Sequence, residues 1–178
     1  MPYVERLIHA DLHIHTVLSP CAEDDMVPTK ILERACCEGF DVIAITDHNS
    51  IGNVGSVMNA AKDRRILVVP GVEIQTREEV HVVGLFRSLA DAERLGTMLD
   101  GFLPAEPNNK RYFGNQYFVD AFDNIVGEET RMLLNSVELS VEETFELVRR
   151  CNGIGICAHV DRPSYSIIGQ LGFIPPEL

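Results

Sequence analysis

The sequence has 178 residues, 46% hydrophobic and 24% charged, with a net charge of −12. That balance excludes a disordered or fibrous chain and suits one globular domain with a substantial core. Neither a run of roughly 18 apolar residues nor a basic-then-apolar leader occurs, which argues against a helical membrane span and a secretory signal.

The five cysteines, Cys21, Cys36, Cys37, Cys151 and Cys157, are odd in number and form no C-x-x-C. They argue against a disulfide framework and for a reducing, cytoplasmic setting. Cys36 and Cys157 sit in apolar runs and are expected to be small buried hydrophobes. The acidic balance opposes broad contact with a phosphate backbone, so nucleic acid is not an expected partner.

Residues 7–16 alternate apolar and polar side chains, as a strand with two unlike faces does. Residues 29–39 predict a helix: Pro28 stands at its start, Ile31, Leu32 and Ala35 recur at helical spacing, and Gly39 stops it. Residues 41–46 (DVIAIT) are a short apolar run of the kind that buried parallel strands show. A second helix is expected over 55–64, strands over 66–70 and 80–86, and a helix over 89–99. Residues 101–139 mix Pro, Asn, Gly and aromatics and predict an elaborated loop with a helical piece. Ser140 and Glu143 form a capping box that opens a helix to about residue 151, and a strand over 154–158 follows. This β-α-β-α-β rhythm implies parallel strands with right-handed crossovers, hence an α/β sheet or barrel.

The metal-capable side chains fall at strand ends. His13 and His15 end the first strand, and Asp47 and His48 end the second. Glu73 follows the third, His81 lies in the fourth, and His159 ends the strand after the capping box. C-terminal strand ends gather at one face of a parallel α/β fold, so five of the six histidines converge there. In H-x-H both imidazoles share one side of the strand. Neutral imidazoles with a carboxylate suit Zn, Mn or Fe. Asp11 and Asp47 stand beside these ligands and could orient a ring by accepting its second N–H. His9 shares the strand face at the entry end and is expected to be scaffold.

In their order and spacing, "DLHIHT", "AITDHNS", "PGVEIQT", "VHVVGLF" and "AHVDRPS" resemble the PHP (polymerase and histidinol phosphatase) superfamily. The resemblance spans nearly the whole chain and implies an α/β fold, a distorted (β/α)7 TIM-like barrel, as a single domain over residues 1–178. It also implies two or three divalent cations, Zn, Mn or Fe, at the C-terminal strand ends. Motif by motif, it puts the metal ligands on His13, His15, His48, Glu73, His81 and His159. Asp47 matches the acid beside the second motif's histidine, and Arg162 a position suited to gripping phosphate. The function implied is metal-dependent hydrolysis of a small phosphomonoester or nucleotide, with a small phosphorylated substrate as partner and no membrane.

Two departures stand out. Family members often carry Asp or His five residues after the second histidine, where this chain has Pro20, leaving Cys21 or an acid among Glu23, Asp24 and Asp25 as a substitute. The family's closing Asp-x-His motif is missing after His159, which suggests a domain incomplete at its C-terminus. Both departures keep open a degenerate or regulatory metal-binding domain of a larger protein. An amidohydrolase-type enzyme also begins with H-x-H but often bridges its metals with a strand lysine, and Lys30, Lys62 and Lys110 fall in helices and a loop. No Ser-His-Asp arrangement or P-loop is present to carry a covalent or NTPase mechanism. A nuclease reading has only the small loop triad Lys110-Arg111-Tyr112, with two basic residues, behind it.

Overall fold

The computed structural model describes residues 7–176 and residue 178. The first half of the chain forms β1 (Ala10–Ile14), α1 (Pro28–Cys37), β2 (Val42–Ile45), α2 (Val54–Ala60), β3 (Leu67–Gln75), β4 (His81–Leu85) and α3 (Leu89–Leu99). The second half forms α4 (Lys110–Phe113), β5 (Tyr117–Val119), β6 (Ile125–Glu128), α5 (Val141–Arg150), β7 (Ile154–Cys157) and α6 (Ile167–Leu171).

Five strands make one curled sheet in the order β1-β2-β3-β4-β7, and β5 and β6 pair as a separate ribbon. The fold is thus α/β with a half-barrel sheet, whose edges among the described residues are β1 and β7. β1, β2 and β3 are parallel, as the rhythm predicts, but β4 is antiparallel to β3 and to β7. The reversal has no turn signal in the sequence. Tight hairpins usually advertise themselves with Asn-Gly or a glycine, whereas residues 76–80 read TREEV. Glu79 itself adopts φ +60, and Thr76 closes the turn by donating its N–H to Val80 O and accepting the Val80 N–H on Oγ1.

β3 is nine residues long and changes partner midway. Leu67 to Pro70 pair with β2, and Gly71 to Gln75 pair with β4. Glu73 therefore lies inside β3 instead of following a strand that ends at Pro70. The switch falls at Pro70, which has no N–H for a ladder, and Gly71, which has no side chain. A Cβ on Gly71 would meet Thr46 Cγ2 at 2.8 Å and both Ile45 O and Leu85 Cδ2 at 3.0 Å.

Helices cover one sheet face. Ile31 and Leu32 of α1 and Val54 and Val57 of α2 pack with Ile43, Ile45 and Val68. Leu95 and Leu99 of α3 and Val148 of α5 pack with Val72 and Ile74. Each such fully buried aliphatic side chain contributes about 1.5–3 kcal/mol. Pro28 occupies the first turn of α1, and Gly39 beyond its end takes φ +76, a left-handed conformation that glycine reaches without steric cost. The Ser140–Glu143 capping box is formed in full. Cys36 is a correction: it is exposed, because Ile31, Leu32 and Ala35 take the inner face of α1 and the next residue turns outward. Cys157 is half-buried, and Cys151 is the buried thiol. The 101–139 segment contains the helical piece α4 and also the β5–β6 ribbon, which its mixed composition concealed. Among the described residues, no helix is long and apolar enough to cross a membrane.

Because backbone and β-sheet side chains surround Gly71, Gly71→Ala should destabilise the protein by roughly 1–3 kcal/mol. The expected result is a lower urea midpoint with an unchanged slope, and a midpoint equal to wild type would mean that β3 can shift to make room.

Candidate metal centre

The strand directions carry five imidazoles to one carboxylate. β1 ends at His13 and His15, β2 runs on to His48 through an isolated parallel bridge to Glu73, and β7 leads into His159. β4 begins at His81, so its reversed direction brings its first residue to the same end. His159 takes φ +28, a costly backbone angle for a residue with a side chain. His9 lies outside this group, exposed, with its N–H donated to Asp41.

Glu73 is 1% exposed. Its Oε1 stands 3.1 Å from His13 Nε2, 3.0 Å from His81 Nδ1 and 3.3 Å from His159 Nε2. Its Oε2 stands 3.2 Å from both His15 Nε2 and His48 Nδ1. Donors held about 2.0–2.2 Å from one cation sit roughly 2.9–3.4 Å apart, so these separations have the dimensions of a coordination shell. All six residues expected as ligands are thus brought together. The shell lines a cavity of about 400 Å³ that Cys21, Gln75, Leu134, Arg162 and Tyr165 also reach.

Two rings are held by neighbours on the side away from Glu73. His81 places Nε2 3.0 Å from Gln75 Oε1 and Nδ1 3.0 Å from Glu73 Oε1, so the ring lies between two acceptors. Ser19 Oγ donates to Asp47 Oδ1 at 2.7 Å, which leaves it an acceptor for the His48 backbone N–H at 3.0 Å and for His15 Nδ1 at 3.1 Å. His15 thus spans Ser19 through Nδ1 and Glu73 through Nε2, at 3.1 and 3.2 Å. Asp47 is fully buried and also accepts the Thr16 N–H and hydroxyl, both at 2.7 Å. It holds β1 to β2 and reaches a ring only through Ser19. Asp11 accepts the backbone N–H of His13 rather than a ring proton. Neither acid orients a ring directly, contrary to expectation.

The carboxylate and rings shift one another. Burial would raise the Glu73 carboxyl, but hydrogen bonds from His13, His15 and His81 hold it below the ordinary range. Burial, then the charge on His15, pushes His48 down to about 3. Burial also opposes a charge on His15, yet its contacts with Cys21 and Glu73 raise it to about 10. His48 Nδ1, though 3.2 Å from Glu73, makes no hydrogen bond, and neither does His159 Nδ1. His48 Nδ1, a bare buried nitrogen beside the carboxylate, is what a cation would satisfy, so the donor set fits divalent metal ions.

A PHP domain model matches residues 11–165. The chain belongs to the PHP domain family. Among curated relatives of this PHP domain, a 5'-3' exoribonuclease of Haemophilus influenzae is 37% identical over 78 residues, 42% of this chain and 27% of that protein. A 3',5'-nucleoside bisphosphate phosphatase of Chromobacterium violaceum is 34% identical over 82 residues, 44% of this chain and 28% of that protein. The chain thus spans less than a third of either relative's length in these matches. A Bifidobacterium adolescentis protein classed with the metal-dependent phosphoesterases shares the fold at TM-score 0.60 and 18% identity, over 89% of this chain and 69% of that one. Endonuclease Q, crystallised with a 27-mer duplex carrying an abasic lesion at its active site, matches at TM-score 0.64 and 16% identity, over 94% of this chain and 40% of that one.

These comparisons correct one expectation. The acidic balance argues against nucleic acid, yet an exoribonuclease and an endonuclease with a duplex substrate are among the matches. Net charge is a property of the whole surface, whereas a phosphate is met by the local field of a metal site. Sequence reasoning also missed Ser19, Gln75 and Tyr165. Tyr165 stacks on His81 with ring centroids 4.8 Å apart, and nothing in "RPSYS" marks it.

Removing the Ser19 hydroxyl should weaken metal binding by roughly 10–100-fold, the usual effect of deleting a partner that orients a ligand. Calorimetric titration of Ser19→Ala with Zn and Mn checks this, and unchanged affinity would show that His15 needs no such support. The chelator-treated protein should also lose stability on both sides of neutrality. His48 binds a proton near 6.5 when unfolded but only near 3 when folded, so stability falls as pH drops through that window, and Glu73 adds to the fall below its ordinary range. His15 is the reverse case: its contribution is complete below 6.5 and is lost as pH rises towards 10. Thermal unfolding across that range should give a maximum between the flanks, and a flat profile would contradict both shifts.

Proposed function

We propose that this chain hydrolyses a phosphate ester with the help of two or three divalent cations, Zn, Mn or Fe. The observation that carries this reading is the buried Glu73 carboxylate, with five imidazole nitrogens within 3.3 Å of its two oxygens. Its oxygens divide the rings into two groups, which favours more than one cation with Glu73 between them. His13, His15, His48, Glu73, His81 and His159 are the proposed ligands. When bound, such cations act as Lewis acids and make water a nucleophile at neutral pH.

The chain's own residues do the rest. Arg162 lines the cavity three residues after His159 and is the proposed grip on equatorial phosphoryl oxygens, with a planar fork suited to two of them at once. Asp47 keeps His15 and His48 in place through Ser19 and touches no reacting atom. Tyr165 and Leu134 form walls of the cavity. Leu134 belongs to the 101–139 elaboration, whose backbone is tied to the site by Asn49 Nδ2, donating to Leu133 O and Asn135 O at 2.8 and 2.9 Å. That segment is the proposed selector of substrate within one PHP domain related to the (β/α)7 barrel. The named activities of the relatives point to mononucleotides, nucleoside bisphosphates and ends or lesions of nucleic-acid strands as the substrates to try first.

The test is phosphate or nucleotide release from that panel with added Zn, Mn or Fe, alongside metal content. His13→Ala and Glu73→Ala should each abolish bound metal and activity together. Arg162→Ala should retain metal and lose roughly 10²–10³-fold in kcat/KM, the scale of removing one charge-stabilising donor. Full metal content with no activity on any ester would sink the enzyme reading and favour a regulatory metal-binding domain.

A further inference from the structure

Cys21 stands at the mouth of the histidine cluster, outside the six proposed ligands. After β1 the chain winds tightly, the Ser19 N–H donating to Thr16 O at 3.0 Å and the Ala22 N–H to Ser19 O at 2.9 Å. Ser19 is itself held by Asp47, His15 and His48, so the position of Cys21, two residues on, is anchored by the cluster it faces. Its Sγ and one ring nitrogen each of His15 and His48 lie within 4.8 Å of one another. Sulfur and nitrogen donors on one tetrahedral zinc sit about 3.6 Å apart, so a small side-chain adjustment closes the triangle. Cys21 is exposed and free of any disulfide, which leaves its side chain able to rotate.

A second observation points the same way. His48 is 5% exposed, and its Nδ1 has no hydrogen-bond partner. Leaving a buried polar nitrogen bare is costly, and Glu73 Oε2 beside it offers no proton. A cation on this side would satisfy both. On the Oε1 side, His13, His81 and His159 complete a donor set without sulfur.

We propose that Cys21 is a thiolate ligand that holds a soft divalent cation together with His15 and His48 on the Oε2 side of Glu73. This rests on the metal-site reading above and deepens it. As the sulfur–metal bond forms, the S–H proton leaves to solvent, and no electron is transferred. The two halves of the site then differ in kind. The sulfur-bearing half favours Zn or Co, whereas the half built from imidazole and carboxylate alone also accepts Mn.

The experiment reloads the chelator-treated full chain with Co(II) and records its absorption and bound cobalt. Wild type should show thiolate-to-cobalt charge transfer in the near ultraviolet beside the visible ligand-field bands. Cys21→Ser should lose the charge-transfer band, keep ligand-field bands from the other half, and bind one cobalt at least about tenfold more weakly. Cys21→Asp should regain tight binding without the band. Cobalt bound by wild type with no charge-transfer band, or a band that survives in Cys21→Ser, overturns this assignment alone. A wild-type protein that binds no cobalt overturns it together with the metal-site reading.

Discussion

Everything at the working end of this fold is arranged around one buried carboxylate. Glu73 sits in the middle of the sheet with five imidazoles against its two oxygens. An isolated carboxylate moved into a medium of low dielectric is penalised by far more than one hydrogen bond returns. It persists only where cations or proton donors surround it. The rings provide that surround, but a neutral imidazole has only one proton to give, and His15 and His81 each lie between two acceptors, Ser19 or Gln75 on one side and Glu73 on the other. The cluster is therefore richer in lone pairs than in protons. A divalent cation relieves that imbalance, and an apolar or purely hydrogen-bonded core would not create it.

The change of partner along β3 makes this geometry possible. A strand confined to parallel neighbours would put His81 a whole crossover away from Glu73. Because Pro70 and Gly71 end one ladder and start another, β4 returns at once, and His81 pairs across from Gln75. Behind the rings a second set of polar groups is fully paired: Thr16, Ser19 and Asp47 join β1 to β2, while Asn49 joins both to the 133–135 segment. Buried networks of this type stabilise only when every member is satisfied. This one is, whereas His48 Nδ1, 3.2 Å from Glu73 Oε2, is left without a hydrogen bond. Rigidity behind the site and unsatisfied valence within it are complementary features of a preorganised centre.

Much of this was legible from periodicity. Apolar runs and cap residues locate β2, α1 and α5 because local physics decides them: helical spacing, a proline at the start and a Ser–Glu box. The convergence of His13, His15, His48, Glu73, His81 and His159 was legible because strand ends share a face. What escaped depends on tertiary context. The hairpin after Gln75 escaped because Glu79 adopts a positive φ that glycine would have announced. The role of Ser19 escaped because a hydroxyl four residues beyond a histidine carries no meaning until the chain turns back. The exposure of Cys36 escaped because an apolar run does not say which of its members faces out.

Net charge was a poor guide to partners, because it does not report on the site. A charge of −12 is a sum over 178 positions and sets the far field, which steers encounters and tunes their salt dependence. Chemistry on a phosphate is decided within a few ångströms. There the chain offers one carboxylate, five imidazoles and the cavity-lining Arg162. With a single divalent cation bound, the sum over these groups is already positive if the imidazoles are neutral: two from the cation and one from Arg162 against one from Glu73. An acidic protein can thus present a strongly positive point to a phosphate. A thiolate from Cys21, as proposed above, would lower that local charge by one, so it would serve better to hold a cation than to attract an anion.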